Sequence, residues 1–175
     1  MVILMKILSI DQSLNCSGYC IYDTDNNNLI KHGFYKPKCV KSVKKNAKIF
    51  NKYVKSVEKL YKNCIFFNEI IKEENINLVL LEDVQSQLSI STFKSLSMLL
   101  GALVETVKEN NCEYVIIPPV TWRKVLNTKK GMKRKELKQL SKQYVLDNFG
   151  LDVNDDVADS IVMVCYFIEN YKEEF

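Results

Sequence analysis

The chain is poor in glycine and proline, with five and three residues of these types among 175. No segment rich in either residue divides the sequence, and no internal repeat or low-complexity stretch is present. The length suits a substantial core, so we expect residues 1–175 to form a single domain. The scarcity of glycine also argues against sugar kinases and actin-like ATPases, which need glycine-rich phosphate loops and about twice this length.

Histidine and paired cysteines are also scarce. His32 is the only histidine, and the six cysteines form no CxxC pair, which argues against a zinc site with Cys and His ligands. The apolar start "MVILMKILSI" is interrupted by Lys6 and is too short for a membrane span. We therefore expect a cytoplasmic protein with free thiols and no membrane association.

Positive charge is unevenly distributed, although the net charge is only +4. Residues 31–62 contain eleven lysines and one acid, and residues 123–142 contain nine basic residues and one acid. The rest of the chain is correspondingly acidic. Basic segments on such a chain predict a polyanionic partner, although lysines at helical spacing also form ordinary solvent-facing surfaces.

Hydrophobic periodicity predicts five strands alternating with helices. Continuous apolar runs at residues 2–10 and 76–82 are typical of buried central strands. The other strands are predicted at "SGYCIYD", "NLIKHGFY" and "CEYVIIPP", and the helices near residues 43–74, 91–111, 133–149 and 155–171, with a short one at "VTWRKVLN". This order predicts an α/β fold with a mixed five-stranded sheet flanked by helices.

Acidic side chains stand where two of these strands end and where the last helix begins. Asp11 follows the first strand and Glu82 the fourth, so parallel neighbouring strands would bring them together. In "NDDVADSIVM", Asp156 and Asp159 are three residues apart and share one helical face. Carboxylates this close repel one another, and Mg²⁺ would relieve the repulsion because it prefers hard oxygen ligands.

Each of these acids also has an ordinary structural interpretation. Asp11 can cap the turn after its strand, and Glu82 can simply end a strand. Asp155 is predicted to be the N-cap of the last helix, where acids favour the positive end of the dipole. Because Asp155 lies four residues before Asp159, it could also replace Asp156 as a ligand.

Four segments, in order, resemble the RuvC-type Holliday junction resolvases of the ribonuclease H-like superfamily. They are "ILSIDQSLNCSGYCIYD", "LVLLEDV", "GMKRKEL" and "DDVADSIVMVCY", and they span nearly the whole chain. The chain departs from the family at Gln85, where bacterial members often carry an aromatic wedge, and in the turn after Asp11, which is usually rich in glycine. The lysine- and asparagine-rich character fits a phage or other mobile-element member, which would act in the host cytoplasm.

The resemblance implies one RuvC-like nuclease domain that cleaves four-way DNA junctions by paired nicks, as a homodimer, in DNA recombination and repair. It implies Mg²⁺ as the cofactor, with Mn²⁺ able to substitute. It assigns metal binding and catalysis to four acids, Asp11, Glu82, Asp156 and Asp159. It also places Lys135 near the scissile phosphate, as a catalytic and DNA-binding residue.

Further basic residues are predicted to contact the DNA backbone. They are Lys129, Lys130, Lys133, Arg134, Lys135 and Arg123. A solvated loop is the alternative, but the position of this segment after the last strand favours DNA binding. Trp122, beside Arg123, could stack on a base or pack inside the protein.

Two other functions would use much of the same pattern. A junction-binding protein without catalysis would be expected to lack one of the four acids, whereas all four are present. A ribonuclease H-like nuclease acting on flaps, branched DNA or RNA–DNA hybrids would use the same acids, so the sequence does not identify the substrate. The helix from Ser91 carries Met98, Gly101 and Ala102 on a second face, which could serve dimerisation or deeper burial.

Overall fold

The structure is a computed structural model that describes residues 5–38, 48–85, 89–129 and 131–171. Five strands form one mixed sheet in the order β3-β2-β1-β4-β5, which confirms the predicted α/β architecture. The strands are β1 (Lys6–Asp11), β2 (Ser17–Asp23), β3 (Asn28–Tyr35), β4 (Leu78–Glu82) and β5 (Glu113–Ile117). The helices are α1 (Lys48–Glu74), α2 (Ile90–Glu109), α3 (Pro119–Trp122), α4 (Arg134–Phe149) and α5 (Asp155–Tyr171), with a 3₁₀ helix (Arg123–Leu126) after α3.

Strand β1 lies at the centre of the sheet, antiparallel to β2 and parallel to β4. Ile10 pairs with Leu81 in the parallel ladder, so the next residues, Asp11 and Glu82, lie at the same edge of the sheet. Asp11 also pairs with Gly18 at the start of β2. The two acids therefore lie together at the carboxyl edge, where the apolar runs end in the sequence.

Helices cover both faces of the sheet. Leu8 and Ile10 of β1 pack in one core with residues of α1 and α2, and Ile7 packs in a second core with α5. Because β1 and β4 are covered on both faces, they appear in the sequence as continuous apolar runs. Helix α5 is buried at every residue from 157 to 167, which fixes its first turns against the sheet.

The start of α5 differs from the predicted one. The helix begins at Asp155, but the cap is Asn154, whose Oδ1 accepts the N–H of Val157 at 2.9 Å. The prediction that Asp155 is the N-cap is therefore wrong, because the preceding side chain already satisfies this donor. Asp155 and Asp156 consequently both lie in the first turn of the helix.

Helix α2 begins close to its predicted start, and parts of two other predicted elements lie outside the described residues. Helix α2 begins at Ile90, one residue before its predicted start, and is capped by Ser89, whose side chain accepts the N–H of Thr92. Residues 2–4 of the predicted first strand and residues 43–47 of the predicted first helix lie outside the described residues. Gly150 ends α4 with a φ of 68°, as expected for a glycine C-cap.

Candidate active site

The four predicted acids line one cleft at the carboxyl edge of the sheet. They are Asp11, Glu82, Asp156 and Asp159. Strands β1 and β4 supply the first two, and the first turns of α5 supply the other two. The cleft has a volume of about 480 Å³, and its wall also includes Arg123, Arg134 and Lys138.

Gly18 allows the first turn of α5 to approach Asp11. A Cβ added at Gly18 would lie 2.1 Å from the carbonyl carbon and oxygen of Asp156, a distance that no side chain tolerates. Gly18 is also the pairing partner of Asp11. The absence of a side chain at this one position therefore lets Asp156 lie beside the end of β1.

Burial and mutual repulsion shift three of the carboxyl groups toward the protonated form. The pKa of Asp11 is raised well above its usual value by burial, and then by Glu82, Asp159 and Asp156. Burial raises the pKa of Glu82 to about 7, against the opposing effect of Arg123. Burial also raises the pKa of Asp159. These shared effects show that the acids act on one another electrostatically across the cleft.

Two cations already contact acids of the cleft. Lys138 Nζ lies 3.2 Å from Asp156 Oδ1 and 3.3 Å from Asp155 Oδ2. Arg123 Nη2 lies 3.5 Å from Glu82 Oε1. Among the described residues, neither Asp11 nor Asp159 forms an ion pair, although the charge of Lys138 acts to lower the pKa of both.

The donor set of the cleft fits a hard divalent cation, although the side chains are not arranged around one. In the described parts of the chain, no three Asp, Glu, His or Cys side chains are grouped so that they could hold one ion as they stand. Asp159 Oδ1, however, is buried without a hydrogen-bond partner. A buried oxygen in this state destabilises the fold unless it binds a donor or a cation. Four carboxylates, one of which has an orphaned oxygen, match the oxygen ligands that Mg²⁺ prefers.

Holliday junction resolvases are among the solved structures similar to this chain, whereas no family model and no curated protein matches the sequence. Thermus thermophilus RuvC, solved in complex with a Holliday junction substrate, superimposes with a TM-score of 0.67 at 12% identity. The match covers 94% of this chain and 95% of that one. The chain has the RuvC fold. This finding confirms the predicted resemblance at the level of the fold.

Two more distant resolvases share the RuvC fold with this chain. The Fowlpox virus resolvase, solved with Holliday junction DNA, gives a TM-score of 0.54 at 17% identity, over 94% of this chain and 97% of that chain. The yeast mitochondrial Holliday junction resolvase Ydc2 gives 0.53 at 17% identity, over 94% of this chain and 78% of that one. Both likenesses extend over nearly the whole of this chain.

The predicted basic residues are spread around the acidic cleft rather than gathered in it. Arg123 and Arg134 line the cleft, whereas Lys129, Lys133 and Lys135 are exposed outside its wall. Lys130 lies outside the described residues. Lys135 therefore does not contact the acids in this structure, and its proposed place near the phosphate stays a prediction.

Sequence reasoning missed Lys138 as a cleft residue. Lys138 lies four residues after Arg134 on α4, so the two share a helix face that points into the cleft. This spacing was available in the sequence and could have identified the residue. The contact with Asp156 depends on the packing of α4 against α5, which the sequence alone does not reveal.

Trp122 has a packing role and also contacts the site. It is 1% exposed, so stacking on a base is not available to it. Its indole N–H donates to Glu82 Oε1 at 3.2 Å, and the guanidinium of Arg123 lies 4.6 Å from the centre of its ring. The packing interpretation of Trp122 is confirmed, with an added role in holding the Glu82 carboxylate.

Proposed function

We propose that this chain is a metal-dependent DNA endonuclease that resolves four-way junctions by paired nicks. The observation that carries the proposal is the convergence of Asp11, Glu82, Asp156 and Asp159 in one cleft of a RuvC fold. A phosphodiester-cleaving site needs an acidic group of ligands for cations and basic residues for the substrate, and both line this cleft. The similar structures with Holliday junction DNA support a branched DNA substrate.

The acids of the cleft would hold Mg²⁺, for which Mn²⁺ could substitute. The other three carboxyl groups all raise the pKa of Asp11. The carboxylate of Glu82 accepts a hydrogen bond from Trp122, and Asp159 offers an oxygen without a hydrogen-bond partner. Bound Mg²⁺ would supply Lewis-acid activation of the scissile phosphodiester and charge neutralisation. Asp156, held by Lys138, would support the ligand set from the first turn of α5.

The basic residues of the cleft wall would bind the DNA phosphates. Lys138 and Arg123 contact carboxylates now, and each could instead offset charge on the phosphate as the acids engage the cation. Arg134 lines the same wall, and the exposed Lys129, Lys133 and Lys135 lie on the neighbouring surface. Such contacts make binding strongly salt-dependent.

Paired nicks require two active sites, and we propose that a second copy of the chain supplies the other one. Large apolar side chains of α1 and α2 are exposed on one side of the protein: Val54, Val57, Tyr61, Ile65 and Met98. Among the described helices, α2 is also the one long and apolar enough to resemble a membrane span, a test that the core helix of a soluble protein passes as well. An apolar surface of this kind fits a homodimer interface.

The substrate is tested by a cleavage panel. A labelled four-way junction, a linear duplex, a flap and an RNA–DNA hybrid are incubated with the protein, with and without Mg²⁺. Asp11→Asn is the matched variant, because it keeps the shape of the side chain and removes its charge. The proposal predicts paired, Mg²⁺-dependent nicks in the junction and none with the variant.

Other outcomes of the panel change the proposal in defined ways. Cleavage of the flap or the hybrid with an intact junction would make the protein a ribonuclease H-like nuclease of another specificity. Junction binding without cleavage under any metal would make it a junction-binding protein that has kept the acids.

A further inference from the structure

Gln12 joins the ends of the two strands that carry Asp11 and Glu82. Its side-chain carbonyl accepts the main-chain N–H of Glu82 at 3.1 Å, and its side-chain amide donates to the main-chain carbonyl of Glu82. Gln12 is 7% exposed, so both hydrogen bonds are shielded from water. One side chain thus satisfies both main-chain polar groups of a proposed metal ligand.

These two hydrogen bonds extend the parallel ladder beyond its last main-chain pair. The ladder between β1 and β4 ends at the pairing of Ile10 with Leu81. Beyond that point the chain leaves β1 for the turn, and the side chain of Gln12 takes the place of a main-chain neighbour. Glu82 is therefore tied to the residue that directly follows Asp11.

The same turn is anchored on its other side by buried polar contacts. Ser17 Oγ accepts the N–H of Ser13 at 3.0 Å and donates to Asn63 Oδ1 of α1 at 2.9 Å. Ser17 and Asn63 are fully buried. These contacts tie the turn that follows Asp11 to β2 and α1, while Gln12 ties it to Glu82 of β4.

We propose that Gln12 is a positioning residue, whose side-chain amide sets the separation of Asp11 and Glu82 for a shared divalent cation. The inference rests on the proposed function and deepens it, because it names a residue outside the ligand set that controls the metal site. Groups that hold metal ligands in place typically contribute 10–100-fold to metal affinity.

The experiment measures Mn²⁺ binding to the full chain without DNA, by electron paramagnetic resonance of the free ion. Gln12→Met keeps the length of the side chain and removes both hydrogen bonds. Asn77→Leu is the matched control, because Asn77 Oδ1 accepts the N–H of Lys6 at 2.8 Å and bridges the same two strands at their opposite end. Thermal unfolding in EDTA is recorded for each variant. Gln12→Asn, whose amide is one methylene too short to reach both groups, serves if the Met variant does not fold.

We expect the dissociation constant for Mn²⁺ to rise by about tenfold or more in both Gln12 variants and to stay within about twofold in Asn77→Leu. The inference is overturned if the Gln12 variants bind Mn²⁺ as the wild type does, if Asn77→Leu weakens binding equally, or if the wild type binds no Mn²⁺. A wild type that binds Mn²⁺ through Gln12-dependent geometry but cuts no DNA would end the proposed function and leave the inference standing.

Discussion

The indole N–H of Trp122 donates a hydrogen bond to Glu82 Oε1 at 3.2 Å. Trp122 is fully buried, and Arg123 Nη2 lies 3.5 Å from the same oxygen. A core side chain and a cation of the cleft wall thus hold one oxygen of a cleft carboxylate. Both contacts favour the charged carboxylate and oppose the effect of burial on its pKa.

Replacing Trp122 with Phe removes the N–H donor and keeps most of the packing. We expect the pKa of Glu82, which burial raises to about 7, to rise further because one stabilising hydrogen bond is lost. Since a protonated carboxyl does not bind metal, the pH midpoint of Mn²⁺ binding should move upward. A midpoint unchanged from that of the wild type would show that the indole does not tune Glu82.

The raised pKa values of Asp11, Glu82 and Asp159 make the metal-free protein sensitive to pH. In the unfolded chain these groups titrate near pH 4, so above this pH the folded state binds more protons than the unfolded state. The stability that the protonated acids contribute is therefore lost as pH rises, and for Glu82 the loss extends through about pH 7.

We expect the Tm of the protein in EDTA to fall from pH 5 to pH 8, and Mg²⁺ to restore it at pH 8 by binding the ionised acids. Thermal unfolding with and without Mg²⁺ measures this. Glu82→Gln is the control and should reduce the fall, because it removes one titrating group. A Tm that rises over this range, with no response to Mg²⁺, would contradict the account of the cleft.

The contributions of Lys138 and Lys135 to cleavage can be distinguished with a matched pair of variants. Lys138 contacts Asp156 in the cleft, whereas Lys135 is exposed three residues earlier on the same helix. We expect Lys138→Met to lower the single-turnover cleavage rate by on the order of a hundredfold, because it removes a charge that we propose offsets charge on the reacting phosphate. Lys135→Met should have a much smaller effect. The reverse order would keep the catalytic assignment at Lys135.

Alanine substitutions at Gly18 and Gly101 test whether the close approach of α5 to β2 requires a glycine. A Cβ at Gly18 would lie 2.1 Å from the main chain of Asp156, whereas a Cβ at Gly101 would have no heavy atom within 4 Å. We expect Gly18→Ala to destabilise the fold by about 1–3 kcal/mol and to weaken metal binding as α5 is displaced. Gly101→Ala, inside α2, should stabilise the protein by about 0.5–1 kcal/mol. Urea unfolding of both variants measures the difference, and equal effects would contradict the predicted clash.

The sequence predicted the acids of the site because each lies at a position that local patterns define. Asp11 and Glu82 directly follow apolar runs, and the parallel register of β1 and β4 then aligns their ends. Asp156 and Asp159 share a face by helical spacing alone. The resemblance to RuvC predicted that these segments belong to one fold, and the fold of the chain agrees with that prediction.

The remaining features depend on contacts between segments that are distant in the sequence. Asn154, Asp155 and Asp156 are all good capping residues in succession, so only the packing of α5 selects Asn154 as the cap. The hydrogen bonds of Gln12 with Glu82 and the approach of Gly18 to Asp156 join residues 70 and 138 positions apart. Periodicity and spacing carry no information about such pairs.

The most direct test of the account is the single-turnover cleavage rate of an end-labelled four-way junction in Mg²⁺. Asp159→Asn removes the buried carboxylate with the unpaired oxygen, and Asp152→Asn is the matched control, since Asp152 is exposed and pairs with Lys142. We predict that the Asp159 variant loses at least about a hundredfold in rate, while the Asp152 variant cleaves like the wild type. If the Asp159→Asn variant cleaved the junction at the wild-type rate, this would contradict the proposal that the acidic cleft is the catalytic metal site.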